Sequence, residues 1–174
     1  MKTESQRQAR RLSYIAFGSN LGNSRQIILD AMARLQSFSD EPILGSSLWQ
    51  TLPVDCPPGS PVFVNAVVRL VPRANETPES LHQKLRALER EFGRQAKKVP
   101  NEPRPLDLDL IAFGAETRDT PELILPHPRA HLRRFVLQPL GEIAPELVLQ
   151  GQGKTVAELL AELPAGGTVT QLNL

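Results

Sequence analysis

The chain has 174 residues, 40% of them hydrophobic and 22% charged, with a net charge of +1. That is enough for one domain with a sizeable core, and the near-neutral balance argues against non-specific nucleic-acid or membrane binding. A single cysteine, Cys56, excludes an internal disulfide framework and a multi-cysteine zinc site, and no apolar run approaches a membrane span or a signal core. The expectation is a cytoplasmic monomer with a mobile N-terminal arm over 1–11 and one domain over 12–174.

Residues 12–18 (LSYIAFG) read as a strand ending at Gly18, and SNLGN turns the chain into a helix over about 24–37. Asn23 or Ser24 is its cap, with Ile28, Met32 and Leu35 on one side. Residues 43–51 and 62–71 are the next strand candidates, and in the latter Phe63, Asn65 and Val67 share a face. Thr77-Pro78 opens a second helix with the stripe Leu81, Leu85, Leu88 and Phe92, which Gly93 ends. A strand over 106–113 follows. This β-α-β-β-α-β order is the ferredoxin-like plan, an α+β fold with an antiparallel sheet. Helices over about 129–138 and 156–163 form a C-terminal extension, the second opened by a Thr155/Glu158 capping box. The proline-stiffened loop TLPVDCPPGSP is too long for a tight hairpin and reads as a lid or pocket wall.

The chemistry concentrates in NEPRPLDLDLIAFG, residues 101–114. Leu106, Leu108 and Leu110 alternate with Asp107 and Asp109, so the leucines share one strand face and the aspartates the other. At about 3.3 Å per residue the two aspartates stand roughly 7 Å apart, within reach of one cation or a pair. Like charges so placed want a counter-ion, and magnesium is the usual choice where phosphates are handled. On spacing alone, a water-facing polar strand remains the other reading.

Arg94, Lys97, Lys98 and Arg104 lie just before the acidic strand, as a solvated loop or a polyphosphate clamp. His127, Arg129, His131, Arg133 and Arg134 put five cationic or potentially cationic groups within eight residues, which tilts the segment toward an anion site, although a lone histidine near a helix start is more often structural. Phe63 and Asn65, opposite a loop bearing Thr51, are suited to bound a flat heterocycle, Asn offering both donor and acceptor, or are simply a core Phe beside a capped Asn. Cys56 has no identifiable base, and GSNLGN lacks the Lys-Ser/Thr of a P-loop.

Together, YIAFGSNLGN, PRPLDLDLIAFG and LPHPRAHLRRFVLQPLGEIAPEL, in that order, resemble the hydroxymethyl-dihydropterin pyrophosphokinases of folate biosynthesis. The similarity runs from about residue 12 to 163. The resemblance implies transfer of the terminal diphosphate of ATP to the hydroxymethyl oxygen of 6-hydroxymethyl-7,8-dihydropterin, with release of AMP. It implies that Asp107 and Asp109 hold two Mg2+ ions bridging the ATP phosphates, with Arg104 as a further catalytic group. It places Glu89, Arg94, Lys97, Lys98, Arg104, His127 and Arg133 about the nucleotide, and Thr51, Leu52, Val54, Phe63, Asn65 and Phe135 about the pterin. It also suggests mobile loops over 51–61 and 94–104.

One departure stands out. Many members carry Arg-Trp-Gly-Pro-Arg before the acidic strand, where this chain has Pro100, Asn101, Glu102, Pro103 and Arg104. A second loop arginine is Ala96 here, with Lys97 and Lys98 as substitutes, and lysine cannot reproduce a bidentate guanidinium. A related pterin as acceptor, a ferredoxin-like RNA-binding module and an Asp-x-Asp glycosyltransferase are the competing readings. The near-neutral charge speaks against the second and the short chain against the third.

Overall fold

The structure is a computed structural model and describes residues 1, 3, 11–53, 56–165 and 169–173. Strand β1 (Ser13–Ser19) is buried along its whole length. Asn23 caps helix α1 (Ser24–Leu35), its side chain accepting from the Gln26 N–H. The strand expected over 43–51 is broken into β2 (Leu44–Gly45) and β3 (Trp49–Thr51). Ser46 explains the break. Its N–H donates to the Val67 carbonyl while its hydroxyl accepts from the Val67 N–H, so a side chain stands in for a ladder rung.

Strand β4 (Phe63–Leu70) leads to α2 (Pro78–Glu91), where Thr77 and Ser80 form a reciprocal capping box. After α2 come β5 (Asp107–Phe113), the two-stranded ribbon β6 (Arg118–Asp119) and β7 (Ile124–Leu125), then α3 (Arg134–Ile143), α4 (Val156–Glu162) and β8 (Val169–Gln171). The helix expected over 129–138 starts later. Residues 130–132 form a short 3-10 turn, Arg133 is extended, and α3 then runs through Pro139. Burial of Val136, Leu137 and Leu140 outweighs the rung that Pro139 removes.

Sheet order is β5-β1-β4-β3-β8, with β2 also on β4 and every pair antiparallel. With β2 and β3 taken as one broken strand, the fourth strand lies beside the first, then the third, then the second. That is the ferredoxin-like arrangement. Strand β8 extends it beyond expectation, pairing Val169 with Thr51 and Gln171 with Trp49. Three residues carry no periodic signal, so only the free edge of β3 makes this segment a strand.

Helices α1 and α2 seal one sheet face with Ile28, Leu35, Leu81, Leu85 and Leu88 packed on Ile15, Phe17, Leu108 and Leu110. Helices α3 and α4 cover only part of the other face, over Tyr14, Ala16, Val67 and Ile111. The rest of that face is open, and the functional residues gather there. Residues 4–10 of the expected arm lie outside the described residues. Arg11, placed in that arm, is instead held: it donates to the Glu76 carbonyl at 2.6 Å and lies over the Phe113 ring.

Candidate functional site

Alternation along β5 sorts its side chains as the sequence predicts. Leu106 and Leu108 are fully buried and Leu110 nearly so, on the face sealed by α1 and α2. Asp107 and Asp109 point the other way, into a cavity of about 510 Å³. Across the sheet, Asp107 is in register with Gly18, and Gly18 with Asn65. A Cβ on Gly18 would meet Asn65 Nδ2 at 3.4 Å and the Asp107 Cβ and Phe63 ring at 3.8 Å, so glycine keeps the cavity floor flat.

The two aspartates are not electrostatically alike. Asp107 touches Arg94 (2.5 Å) and lies 3.5 Å from Arg104 Nε. Burial alone would raise its pKa, but these guanidiniums hold it below the ordinary value. Among the described residues Asp109 has no such contact. Burial first and the charge of Asp107 second push it up to about 6, against the more distant Arg86 and Arg133. One carboxylate is satisfied by arginine and the other is left wanting a cation. Among the described residues no group of three His, Cys, Asp or Glu side chains forms a self-sufficient metal cage. Two carboxylates fit magnesium, which keeps several waters and completes its octahedron with substrate phosphates.

Arginines surround this ledge. Arg104, Arg129, Arg133 and Arg134 line the cavity, while Arg94 reaches it from the loop after α2. Arg134 also ties the C-terminal segment down, donating to the carbonyls of Leu163 and Pro164. His127 adds no charge. Burial, then Arg133 and Arg129, lower it to about 4, so it is neutral at pH 7. Its Nδ1 accepts from the Arg129 N–H, which leaves the proton on Nε2 as a donor. It joins the cluster as a neutral donor rather than a cation.

Other expected residues fall in different places. Glu89 is buried behind β5 and lines neither cavity. Its carboxylate accepts from the Leu108 N–H at 2.8 Å and pairs with Arg86 and Arg94, so it supports the ledge rather than facing a nucleotide. Lys97 and Lys98 are exposed and line a second cavity of about 310 Å³ with Leu21, Arg94 and Arg104. Arg104 borders both cavities.

The opposite wall is aromatic and amide-bearing. Thr51 Oγ1 donates to Asn65 Oδ1 at 2.7 Å, and Asn65 Nδ2 donates to the Phe17 carbonyl at 3.3 Å. The amide is thus oriented and keeps one donor and one acceptor in reserve. Phe63, Phe135 and the half-exposed Leu52 line the same cavity, and Val54 lies outside the described residues. Arg104 lies over the Phe63 ring at 5.2 Å and Arg133 over Phe135 at 5.3 Å. Asn101, at the position of the missing tryptophan, lines the cavity too, in a left-handed conformation (φ 56°) that asparagine tolerates.

Asn20 escaped the sequence reading, which took GSNLGN as a turn. It is 2% exposed. Its backbone N–H donates to the Arg104 carbonyl, its Oδ1 accepts from the Arg104 N–H, and its Nδ2 donates to the Pro61 carbonyl. One buried amide therefore joins the loop before β5 to the loop after β3. An Asn in a turn is a common loop staple, but its partner here lies 84 residues away.

Fold and site together define a ferredoxin-like α+β protein whose cavity sets a paired carboxylate ledge among arginines, facing an aromatic wall. The chain belongs to the 7,8-dihydro-6-hydroxymethylpterin-pyrophosphokinase family, whose pattern it matches over residues 14–145. It is 37% identical over 155 residues to a 2-amino-4-hydroxy-6-hydroxymethyldihydropteridine pyrophosphokinase of Pseudomonas aeruginosa, covering 88% of this chain and 93% of that one. A pyrophosphokinase of the same name from Synechocystis is 35% identical over 149 residues, covering 86% and 74%. A folic acid synthesis protein of Pneumocystis carinii is 35% identical over 150 residues, but the match spans only 20% of that longer protein. The fold is shared with the crystal structure of a Plasmodium falciparum HPPK-DHPS with pteroate, at a TM-score of 0.68 and 14% identity, over 87% of this chain and 42% of that one.

Proposed function

We propose that this chain transfers diphosphate from ATP to the hydroxymethyl oxygen of 6-hydroxymethyl-7,8-dihydropterin, releasing AMP, as a cytoplasmic monomer in folate biosynthesis. The alcohol oxygen bonds to the β-phosphorus and gives up its proton to solvent, while the bond from that phosphorus to the α-phosphate oxygen breaks and its electron pair leaves with AMP. Such a transfer asks little covalent chemistry of the protein; it needs in-line positioning and neutralisation of phosphate charge. Bound Mg2+ at Asp107 and Asp109 would supply that neutralisation and orient the phosphates.

The remaining parts are the chain's own. Arg94, Arg104 and Arg133 flank the ledge and bind phosphate oxygens, and His127 donates a neutral hydrogen bond that persists across physiological pH. Asn65, oriented by Thr51, reads the edge of the heterocycle, and Phe63 and Phe135 bound its faces. Lys97 and Lys98 hold the outer phosphates in the neighbouring cavity, and the loop over 94–104 closes across the substrates; of the loop over 51–61, residues 54 and 55 lie outside the described residues. Among the described residues no helix is long and apolar enough to cross a membrane.

The observation that carries this reading is the aspartate pair on an open sheet face, one member matched by arginine and the other not. Incubation with ATP, magnesium and the hydroxymethyl pterin tests it. AMP and the pterin diphosphate in equal amounts are expected; ADP, or no product, contradicts it.

A further inference from the structure

Strand β5 is the outermost strand of its sheet, so among the described residues one side of its backbone has no strand partner. Edge strands with free N–H and C=O groups are deformable and must be satisfied by other means. At Leu108, the residue between the two aspartates, α2 supplies both partners. Arg86 Nη2 donates to the Leu108 carbonyl, and Glu89 Oε2 accepts from the Leu108 N–H at 2.8 Å. Arg86 Nη1 and Glu89 Oε1 pair with each other at 2.8 Å, so the two side chains act as one rigid unit. They stand three residues apart on one helix face, anchored by the buried Leu85 and Leu88 beside them.

We propose that Arg86 is a positioning residue for the reaction proposed above: with Glu89 it clasps both backbone groups of Leu108. The clasp fixes the angle at which Asp107 and Asp109 present their carboxylates. Rotation of the peptide groups on either side of Leu108 would turn the flanking aspartates out of the orientation they share. The same Glu89 carboxylate holds Arg94 at 2.6 Å, and Arg94 touches Asp107, so the clasp continues around the ledge. Partners that orient a metal-binding carboxylate typically change metal affinity or turnover by about 10–100-fold when removed.

Arg86→Ala is the test, since its side chain is 32% exposed and alanine suits a helix. The readouts are thermal unfolding in EDTA, Mn2+ affinity of the complex with a non-hydrolysable ATP analogue (by electron paramagnetic resonance), and kcat and KM for each substrate. Expected are Mn2+ binding weakened at least 10-fold, kcat lowered at least 10-fold, and a pterin KM within about twofold of wild type, in a protein that still unfolds cooperatively. Glu89→Gln, whose amide oxygen can still accept from the Leu108 N–H, is expected to weaken Mn2+ binding less than Arg86→Ala does. Native Mn2+ affinity and kcat in Arg86→Ala would overturn the proposal. So would a rise confined to the KM for ATP, which would mean that Arg86 merely touches nucleotide. A wild-type protein that binds Mn2+ with the ATP analogue yet makes no AMP would instead sink the proposed function, leaving the Mn2+ comparison to judge the clasp.

Discussion

The two faces of β5 obey opposite rules. Leu106, Leu108 and Leu110 are packed under α1 and α2, while Asp107 and Asp109, one residue out of phase, stand over an open cavity. On the first face the side chains are apolar and packed within the chain. On the second, Asp109 is pushed to about 6 by burial and by Asp107, a strain that the fold tolerates without offering it a partner. The difference teaches where to look for function: a site is where the chain leaves a charge for something else to match.

The largest effect comes from the open face. Asp109→Ala should cost turnover roughly 3–4 kcal/mol in the barrier, the range of a lost electrostatic stabiliser, measured as AMP formation with magnesium saturating. Its unfolding midpoint in EDTA should not fall. The sealed face should behave inversely. Leu85→Ala removes a fully buried side chain under the sheet and should cost about 2–5 kcal/mol of stability, while the protein that remains folded keeps its kcat.

A pH series sharpens the comparison. A carboxylate raised from 3.8 to about 6 is ionised at a cost to the fold, so stability in EDTA should fall as pH rises from about 4 to about 6. Asp109→Asn removes that cost. It should gain about 3 kcal/mol at pH 8 and almost nothing near pH 3.5, since one pKa unit is about 1.4 kcal/mol. Denaturant midpoints at the two pH values would check it. The smallest effect belongs to the cavity floor. Gly18→Ala presses on Asn65 Nδ2 and should raise the pterin KM by roughly fivefold, about 1 kcal/mol, with the KM for ATP unchanged.

The ledge was legible in the sequence because strand alternation has period two and needs no tertiary information. The order of elements was legible too, from helix stripes and caps such as Thr77-Pro78. What could not be read depended on partners far along the chain. Ser46 breaks the second strand only because Val67 lies opposite, and β8 exists only against the free edge of β3. Glu89 was assigned to the nucleotide, whereas its carboxylate is committed to Leu108, Arg86 and Arg94. Asn20 and Arg86 are ordinary residues in a turn and on a helix, and their bonds to Arg104 and Leu108 cross 84 and 22 residues of chain.

The proposed reaction depends on cations held by Asp107 and Asp109. The most direct measurement is a Mn2+ titration of the wild-type protein and of the Asp107→Asn/Asp109→Asn variant, each with a non-hydrolysable ATP analogue. Two ions per wild-type molecule, with the protein-dependent binding abolished in the variant, is the result predicted. Equal Mn2+ binding by both proteins would contradict it.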